Sequence, residues 1–274
     1  MHNRNDIRAR RATMATPARR GHAMRRVTAP VMVAAGTALL ALGAPPAQAQ
    51  RDTQDWTWNG TVQDGRWVYV RNLNGPIRVE SGTGSQVEVR AVKRAHRRGR
   101  VEDVTITVTQ RASGGDVVVC ALWSDRTRCD EDGYSTRSER SWWDWRDDDR
   151  NDVSVEFTVR LPKGVRVAAS TVNGGLDIDG VDSEVEARTV NGSITARSNG
   201  GPVSARTTNG SLTIRSGRIG SERLEYSTVN GQITLEMPPG TNADVELRTV
   251  NGSISTDFPL TIEGRFNNRS VRGR

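Results

Sequence analysis

The chain has 274 residues, with 39 Lys and Arg against 32 Asp and Glu, and only two cysteines. Its formal charge of +7 would suit a binder of nucleic acid or acidic polymer. Residues 1–49, however, hold eight Arg and one Asp, and the rest balances at 31 basic and 31 acidic residues, which removes the electrostatic case for nucleic acid.

Those first 49 residues read as a secretory signal peptide. Arg-rich sequence precedes an apolar run from Val31 to Ala44, then Pro45-Pro46 and an Ala47-Gln48-Ala49 cleavage site. The run is short of the ~20 residues that span a bilayer, so no transmembrane segment is expected once the leader is removed, and the mature protein is expected to begin near Gln50. Met24 would give a better-proportioned start than Met1. Arg25-Arg26 is a fragment of a twin-arginine motif, and no Cys stands at the cleavage site after the apolar run, so a lipid anchor there is not expected.

From Trp56 to Val79 the sequence alternates, with Val68, Val70 and Asn72 before Asn74-Gly75 and Ile77 and Val79 after, an outlying copy of the Asn-Gly unit that recurs further along the chain. Gln86 to Val92, Val104 to Val108 and Val117 to Leu122 also alternate as strands with one face inside. Arg90, Lys93, Arg94, Arg97, Arg98 and Arg100 form a basic cluster and 130–152 an acidic one, expected as two solvated loops that attract one another. Cys120 and Cys129 lie in the exported part, where an even count predicts a disulfide; two cysteines alone are too few for structural zinc.

An insertion follows at 124–152, polar and charged but with Trp142, Trp143 and Trp145 at its centre. Loops of this length are usually functional or disordered, and exposed Trp beside charge is a common sugar- or protein-binding composition. The same rings could instead pack the loop onto a sheet. A strand returns at Val153 to Val159, and Leu161-Pro162-Lys163-Gly164 turns into the repeats.

Five units dominate the rest: Thr171-Val172-Asn173-Gly174, Thr189-Val190-Asn191-Gly192, Thr207-Thr208-Asn209-Gly210, Thr228-Val229-Asn230-Gly231 and Thr249-Val250-Asn251-Gly252. The glycines are 18, 18, 21 and 21 residues apart, the mark of a repeat architecture. Crossing each Asn-Gly shifts the apolar alternation from odd to even offsets, as a tight turn requires, and Asn and Gly suit positive φ there. The fold class is therefore all-β: a β-solenoid or β-helix of 18–21-residue rungs, with an antiparallel hairpin meander as the alternative. The solenoid is favoured because like residues then stack into ladders. The predicted organisation is an N-terminal β region over 50–160, a repeat solenoid over 161–264 and a polar tail over 265–274.

The spacing of Leu161-Pro162-x-Gly164-Val165 and the Thr-Val-Asn-Gly-x-Ile units resembles the bacterial putative-adhesin family of exported domains of unknown function, over roughly Val68 to Phe258. The resemblance implies a β-helical fold and an envelope or surface location. Its motifs are structural, so it carries over no catalytic residue. The sequence departs from the pattern at its end, where Arg265 to Arg274 is polar and basic instead of another rung.

Catalytic chemistry finds little footing. His96 is the one histidine beyond the leader and has no nucleophile motif near it in sequence. Asp177, Asp179 and Asp182 lack the order and terminal Glu of a calcium loop, and Asp144, Asp147, Asp148, Asp149 and Asp152 fit no specific metal spacing. The Asn-Gly-Ser sequences match a glycosylation sequon that the repeat already explains. The expectation is a non-enzymatic, cofactor-free, adhesin-like or structural module, exported to the periplasm, cell surface or exterior, that meets a protein or polysaccharide. The alternatives are a carbohydrate-active enzyme with paired carboxylates and an envelope-stress or scaffold component that binds another protein.

Overall fold

The structure is a computed structural model that describes residues 53–97, 99–136, 151–217, 223–239, 244–257 and 270–273. The signal-peptide region falls outside them. The described residues are all-β, with one 3-10 turn at Val101–Asp103.

The repeats supply one strand on each side of every Asn-Gly. Those before it are β2 (Trp67–Arg71), β10 (Arg166–Asn173), β12 (Val185–Asn191), β14 (Val203–Arg206), β16 (Arg223–Asn230) and β18 (Asp244–Asn251). Those after it are β3 (Ile77–Ser81), β11 (Leu176–Val181), β13 (Ile194–Ser198), β15 (Leu212–Ser216), β17 (Ile233–Glu236) and β19 (Ile254–Thr256). The second set runs side by side in a first nine-stranded sheet and the first set in a second nine-stranded sheet. Each strand pairs in parallel with its counterparts in neighbouring units, never with the strand across its own Asn-Gly, so the pairing is not that of a hairpin meander. Register is position on position: Val167 opposite Val185, Thr171 opposite Thr189, Leu176 opposite Ile194 and Ile194 opposite Leu212.

Period-two alternation then sends one face of each strand inward. Val185 and Ala187 of the second sheet and Ile194 and Ala196 of the first are buried in one hydrophobic cluster that also takes in Val68, Val70, Phe157 and Val159. The column Ala169, Ala187 and Ala205 is small, and Tyr226 and Leu247 continue it where the period lengthens to 21 residues.

The segment between the outlying copy and the repeats extends both sheets. β9 (Ser154–Leu161) pairs in parallel with β3, and β6 (Val117–Leu122) in parallel with β2. Antiparallel strands then close this end: β4 (Val87–Arg94) on β9, β1 (Thr53–Gly60) on β4, and β5 (Thr105–Gln110) on β6. Two further elements lie at the margins. The front of the insertion holds a short hairpin, β7 (Thr127–Cys129) with β8 (Tyr134–Thr136). The tail contributes β20 (Ser270–Gly273), which pairs antiparallel with β18 and covers that edge of the second sheet.

The repeated letters have separate tasks. Each buried Thr hydroxyl donates to the glycine carbonyl of the preceding unit: Thr171 to Gly75 at 3.0 Å, Thr189 to Gly174 and Thr207 to Gly192 at 2.9 Å, Thr228 to Gly210 at 2.9 Å and Thr249 to Gly231 at 3.1 Å. Asn72 takes the Thr position in the outlying copy, and its side-chain amide donates to Val155 O at 2.8 Å and to Gly75 O of its own unit at 3.0 Å. Each Asn amide stacks on the last: Asn191 donates to Asn173, Asn209 to Asn191, Asn230 to Asn209 and Asn251 to Asn230, at 2.7–2.9 Å. Thr189→Val, which keeps the shape but leaves the Gly174 carbonyl without its donor, should cost about 1–3 kcal/mol. Urea titration checks this, and Thr189→Ser should stay near the parent.

The glycines are required for a different reason from the one their turn chemistry suggests. Gly192, Gly231 and Gly252 do not occupy the left-handed region, Gly174 and Gly210 lie at φ 159° and 157°, close to extended backbone, and of the six only Gly75, at φ 121°, sits well inside it. What forbids a side chain is the neighbouring unit. A Cβ on Gly174, Gly192, Gly210, Gly231 or Gly252 would stand 1.8–2.2 Å from the preceding glycine's carbonyl oxygen.

Candidate binding surface

The outer face of the second sheet begins on β2, where alternation that buries Val68 and Val70 turns Trp67, Tyr69 and Arg71 outward. Trp67 and Tyr69 stack with centroids 5.9 Å apart and planes at 27°. The Arg166 guanidinium lies over Trp67 at 4.6 Å and that of Arg71 over Tyr69 at 5.3 Å, both in cation–π range. Asp116 fixes the start of β2 by accepting the Trp67 amide at 2.9 Å, and Glu184 holds Arg166 at 3.3 Å.

The predicted Cys120–Cys129 disulfide is present, and its position explains the hairpin. Cys120 points outward from β6, so the bond ties the β7–β8 hairpin over this face. Under it Arg71 is only 4% exposed; it donates to Ser170 Oγ at 3.1 Å and to the Glu131 carbonyl, while its Nε has no partner. Burial lowers its proton affinity, with Arg188 adding to the effect. Tyr134 donates to the Ala121 carbonyl at 2.8 Å, and burial pushes its phenol well above the ordinary range. Burial, then Asp116 and Glu131, raises Tyr69 as well.

A pocket of about 150 Å³ opens beside Tyr69, lined also by Arg111, Asp116, Val118, Asp130 and Glu131, with Arg111 ion-paired to Glu131. Further along the same face a depression of about 240 Å³ forms where the short Ser204 lies between Glu186, Arg188, Arg206 and Glu225. Its guanidiniums are paired, Arg188 with Glu186 and Arg206 with Glu225. At the sheet-to-sheet corner runs the exposed Asn ladder. Next to it Val190, Val229 and Val250 are 39–49% exposed.

Trp142, Trp143 and Trp145 lie outside the described residues, as do Asp144, Asp147, Asp148 and Asp149. Asp177 stands 3.6 Å from Arg78 and Asp179 3.6 Å from Arg197, all exposed on the first sheet. No group of three or more His, Cys, Asp or Glu that could hold a metal occurs among the described residues. The fold brings His96 Nε2 within 3.2 Å of Ser154 Oγ, a proximity the sequence did not show; the pair is exposed and no orienting carboxylate joins it among the described residues. The basic cluster is not uniformly solvated. Lys93 is 8% exposed and donates to the carbonyls of Val101 and Val104 at 3.2 and 2.7 Å, and its burial lowers its proton affinity. Where the two clusters approach, the Arg97 backbone amide, not its guanidinium, donates to Asp152 at 2.8 Å. The aromatic platform was missed by sequence reasoning although its signal was there: Trp67 and Tyr69 occupy the opposite parity to Val68 and Val70.

No protein-family model matches the sequence, and no curated protein matches it. Among solved structures it is similar to a putative cell adhesion protein from Clostridium sporogenes, at 8% identity and a TM-score of 0.40, covering 80% of this protein and 88% of that one. It is also similar to a putative adhesin from Bacteroides fragilis, at 12% identity and a TM-score of 0.27, covering 74% and 97%. A putative adhesin from Parabacteroides distasonis matches at 12% identity and 0.24, covering 75% and 98%. Among the described residues no helix is long and apolar enough to cross a membrane.

Proposed function

We propose that the protein is an exported, non-enzymatic β-solenoid that acts as an adhesin-like interaction module at the cell envelope, with the outer face of the second sheet as its binding surface. The solenoid reading is supported by the contribution of one strand per unit to each sheet and by the in-register parallel pairing. Export is supported by the disulfide, which persists in oxidising compartments, and by the leader; N-terminal sequencing of exported protein should start near Gln50.

The observation that carries the binding reading is the Trp67–Tyr69 platform with its flanking guanidiniums and adjacent acidic pocket. Aromatic faces stack on the apolar faces of sugar rings, and carboxylates and guanidiniums supply hydrogen bonds to hydroxyls. Of the two partner classes, this composition favours a polysaccharide over a protein. The exposed Asn ladder adds a regular row of amides on the same molecule. Asp177 and Asp179, two carboxylates that an enzyme reading would draw on, stand beside Arg78 and Arg197.

Binding should be measured on surface glycans and on whole cells with two variants: Trp67→Ala with Tyr69→Ala, and Trp142→Ala with Trp143→Ala and Trp145→Ala. Each should weaken adherence about tenfold or more, or ~1.4 kcal/mol, with an unchanged oligomeric state and a melting temperature close to the parent. Undiminished adherence of the Trp67→Ala, Tyr69→Ala variant would sink this surface, and undiminished adherence of the triple variant would remove the insertion from the binding site. Polysaccharide cleavage by the purified protein, lost on Asp177→Asn, would overturn the non-enzymatic reading.

A further inference from the structure

The repeats place six Asn-Gly pairs at equivalent corners, and Asn-Gly is the dipeptide most open to intramolecular attack, because Gly puts no side chain in the way of its own amide nitrogen. Five of the six are held. The Gly75 amide donates to the Asn173 carbonyl at 2.7 Å, Gly174 to Asn191 and Gly192 to Asn209 at 2.9 Å, and Gly210 to Asn230 and Gly231 to Asn251 at 3.0 Å. The acceptor is always the next unit's Asn. No further unit follows Gly252 among the described residues, and its amide makes no hydrogen bond there.

The side chains show the same end effect. Asn191, Asn209 and Asn230 are held at both amide atoms, donating to the unit before and accepting from the unit after. Asn251 donates to Asn230 at 2.8 Å, but nothing among the described residues engages its Oδ1. Gly252 is exposed, whereas Gly75 is buried and Gly174, Gly192, Gly210 and Gly231 are partly covered.

We propose that Asn251 is a site of spontaneous deamidation, selected from the repeated Asn-Gly pairs by its place at the end of the ladder. The Gly252 amide loses its proton to hydroxide and attacks Asn251 Cγ. The new bond from the Gly252 nitrogen to Cγ closes a succinimide, the bond from Cγ to Nδ2 breaks, and Nδ2 leaves as ammonia after taking a proton from water. One water then opens the ring at either carbonyl to give Asp or isoAsp. The sum is one water consumed and one ammonia released, with no change of oxidation state. In the interior units the attacking N–H must first leave its hydrogen bond, and both amide atoms must leave the ladder. The product replaces the donor to Asn230 Oδ1 by a carboxylate oxygen, so the last amide contact of the ladder is lost and a negative charge enters a neutral column.

Asn199-Gly200, at the opposite corner, provides an internal control. Its glycine amide is likewise without a partner among the described residues, while its side chain donates to Gly180 O at 3.1 Å. Trypsin separates the pairs: peptide 189–197 carries Asn191, 198–206 Asn199, 207–215 Asn209 and 249–265 Asn251. The intact folded protein is held in mildly alkaline buffer made with isotopically heavy water oxygen, digested, and scored by mass spectrometry for heavy-oxygen incorporation. Peptides 249–265 and 198–206 should convert about tenfold faster than 189–197 and 207–215, a factor equivalent to ~1.4 kcal/mol of barrier. In denaturant the peptides 189–197, 207–215 and 249–265 should react alike. Equal rates in the native protein, or an inert 249–265 beside a reacting 198–206, would overturn the proposal.

Discussion

Gly192→Ala should lower stability by about 3 kcal/mol or more, at the upper end of what overpacking costs, and so lower the melting temperature by roughly 6–12 °C for a protein of this size. The added Cβ would meet the Gly174 oxygen at 2.0 Å, its carbonyl carbon at 2.5 Å and the Gly175 nitrogen at 2.9 Å. All three are backbone atoms, so relief requires the units to separate. Separation would stretch the Thr189–Gly174 hydrogen bond and the Asn191–Asn173 amide contact at the same corner, and the damage should pass to neighbouring units because each is stabilised by the next. Gly84→Ala is the control: the nearest atom to its Cβ is Gln86 N at 3.9 Å. Thermal melts of the two variants decide the matter. Equal melting points would show that the units are not in close contact at Gly192. A purely torsional role for the glycine predicts instead that Ala is well tolerated at Gly192, whose φ lies outside the left-handed region.

Removing the disulfide with Cys120→Ala and Cys129→Ala should cost about 2.7 kcal/mol in the chain-entropy picture of a loop of this length, or roughly 5–11 °C in melting temperature. Its effect should be local in a way the glycine's is not. The bond spans a sequence separation of 9 and holds the β7–β8 hairpin over Arg71 and Tyr134. Freed of it, the hairpin should admit water to both, so amide exchange should rise in 120–136 while the strands β12 to β17 keep their protection. Mass spectrometry with and without reductant establishes the bond itself. A variant that exchanges faster throughout both sheets would mean that the hairpin supports the fold as a whole, contrary to this reading.

Most of the framework was legible in the residues. The 18- and 21-residue spacing identified the repeats, the alternation of Val185, Ala187, Ile194 and Ala196 identified the inward faces, and the two cysteines identified the bond. These are properties a short stretch of sequence carries alone, because side-chain parity along a strand is fixed by backbone geometry. The outlying copy around Asn74-Gly75 was visible as a copy, but its neighbour was not. β2 and β3 lie beside β10 and β11, with Arg71 opposite Ser170 across 99 residues of sequence. Loop-closure cost grows only slowly with length, so separation in sequence says little about which open strand edge a distant segment will meet.

The same distinction divides the sites. That Trp67 and Tyr69 face away from the core follows from parity; that Arg166 and Arg71 lie over their rings follows only from the pairing of β2 with β10 and from the hairpin tied down at Cys120. Lys93 reads in sequence as one more member of a basic cluster, yet it is buried against the carbonyls of Val101 and Val104, which the turn of the backbone brings to it. The amino-acid sequence by itself determined that this is an all-β repeat protein with a glycine at every corner. Only the tertiary structure decided why the glycine is there, because the carbonyl oxygen that excludes a side chain belongs to another unit and stands within 2.2 Å of the missing Cβ only after the units stack.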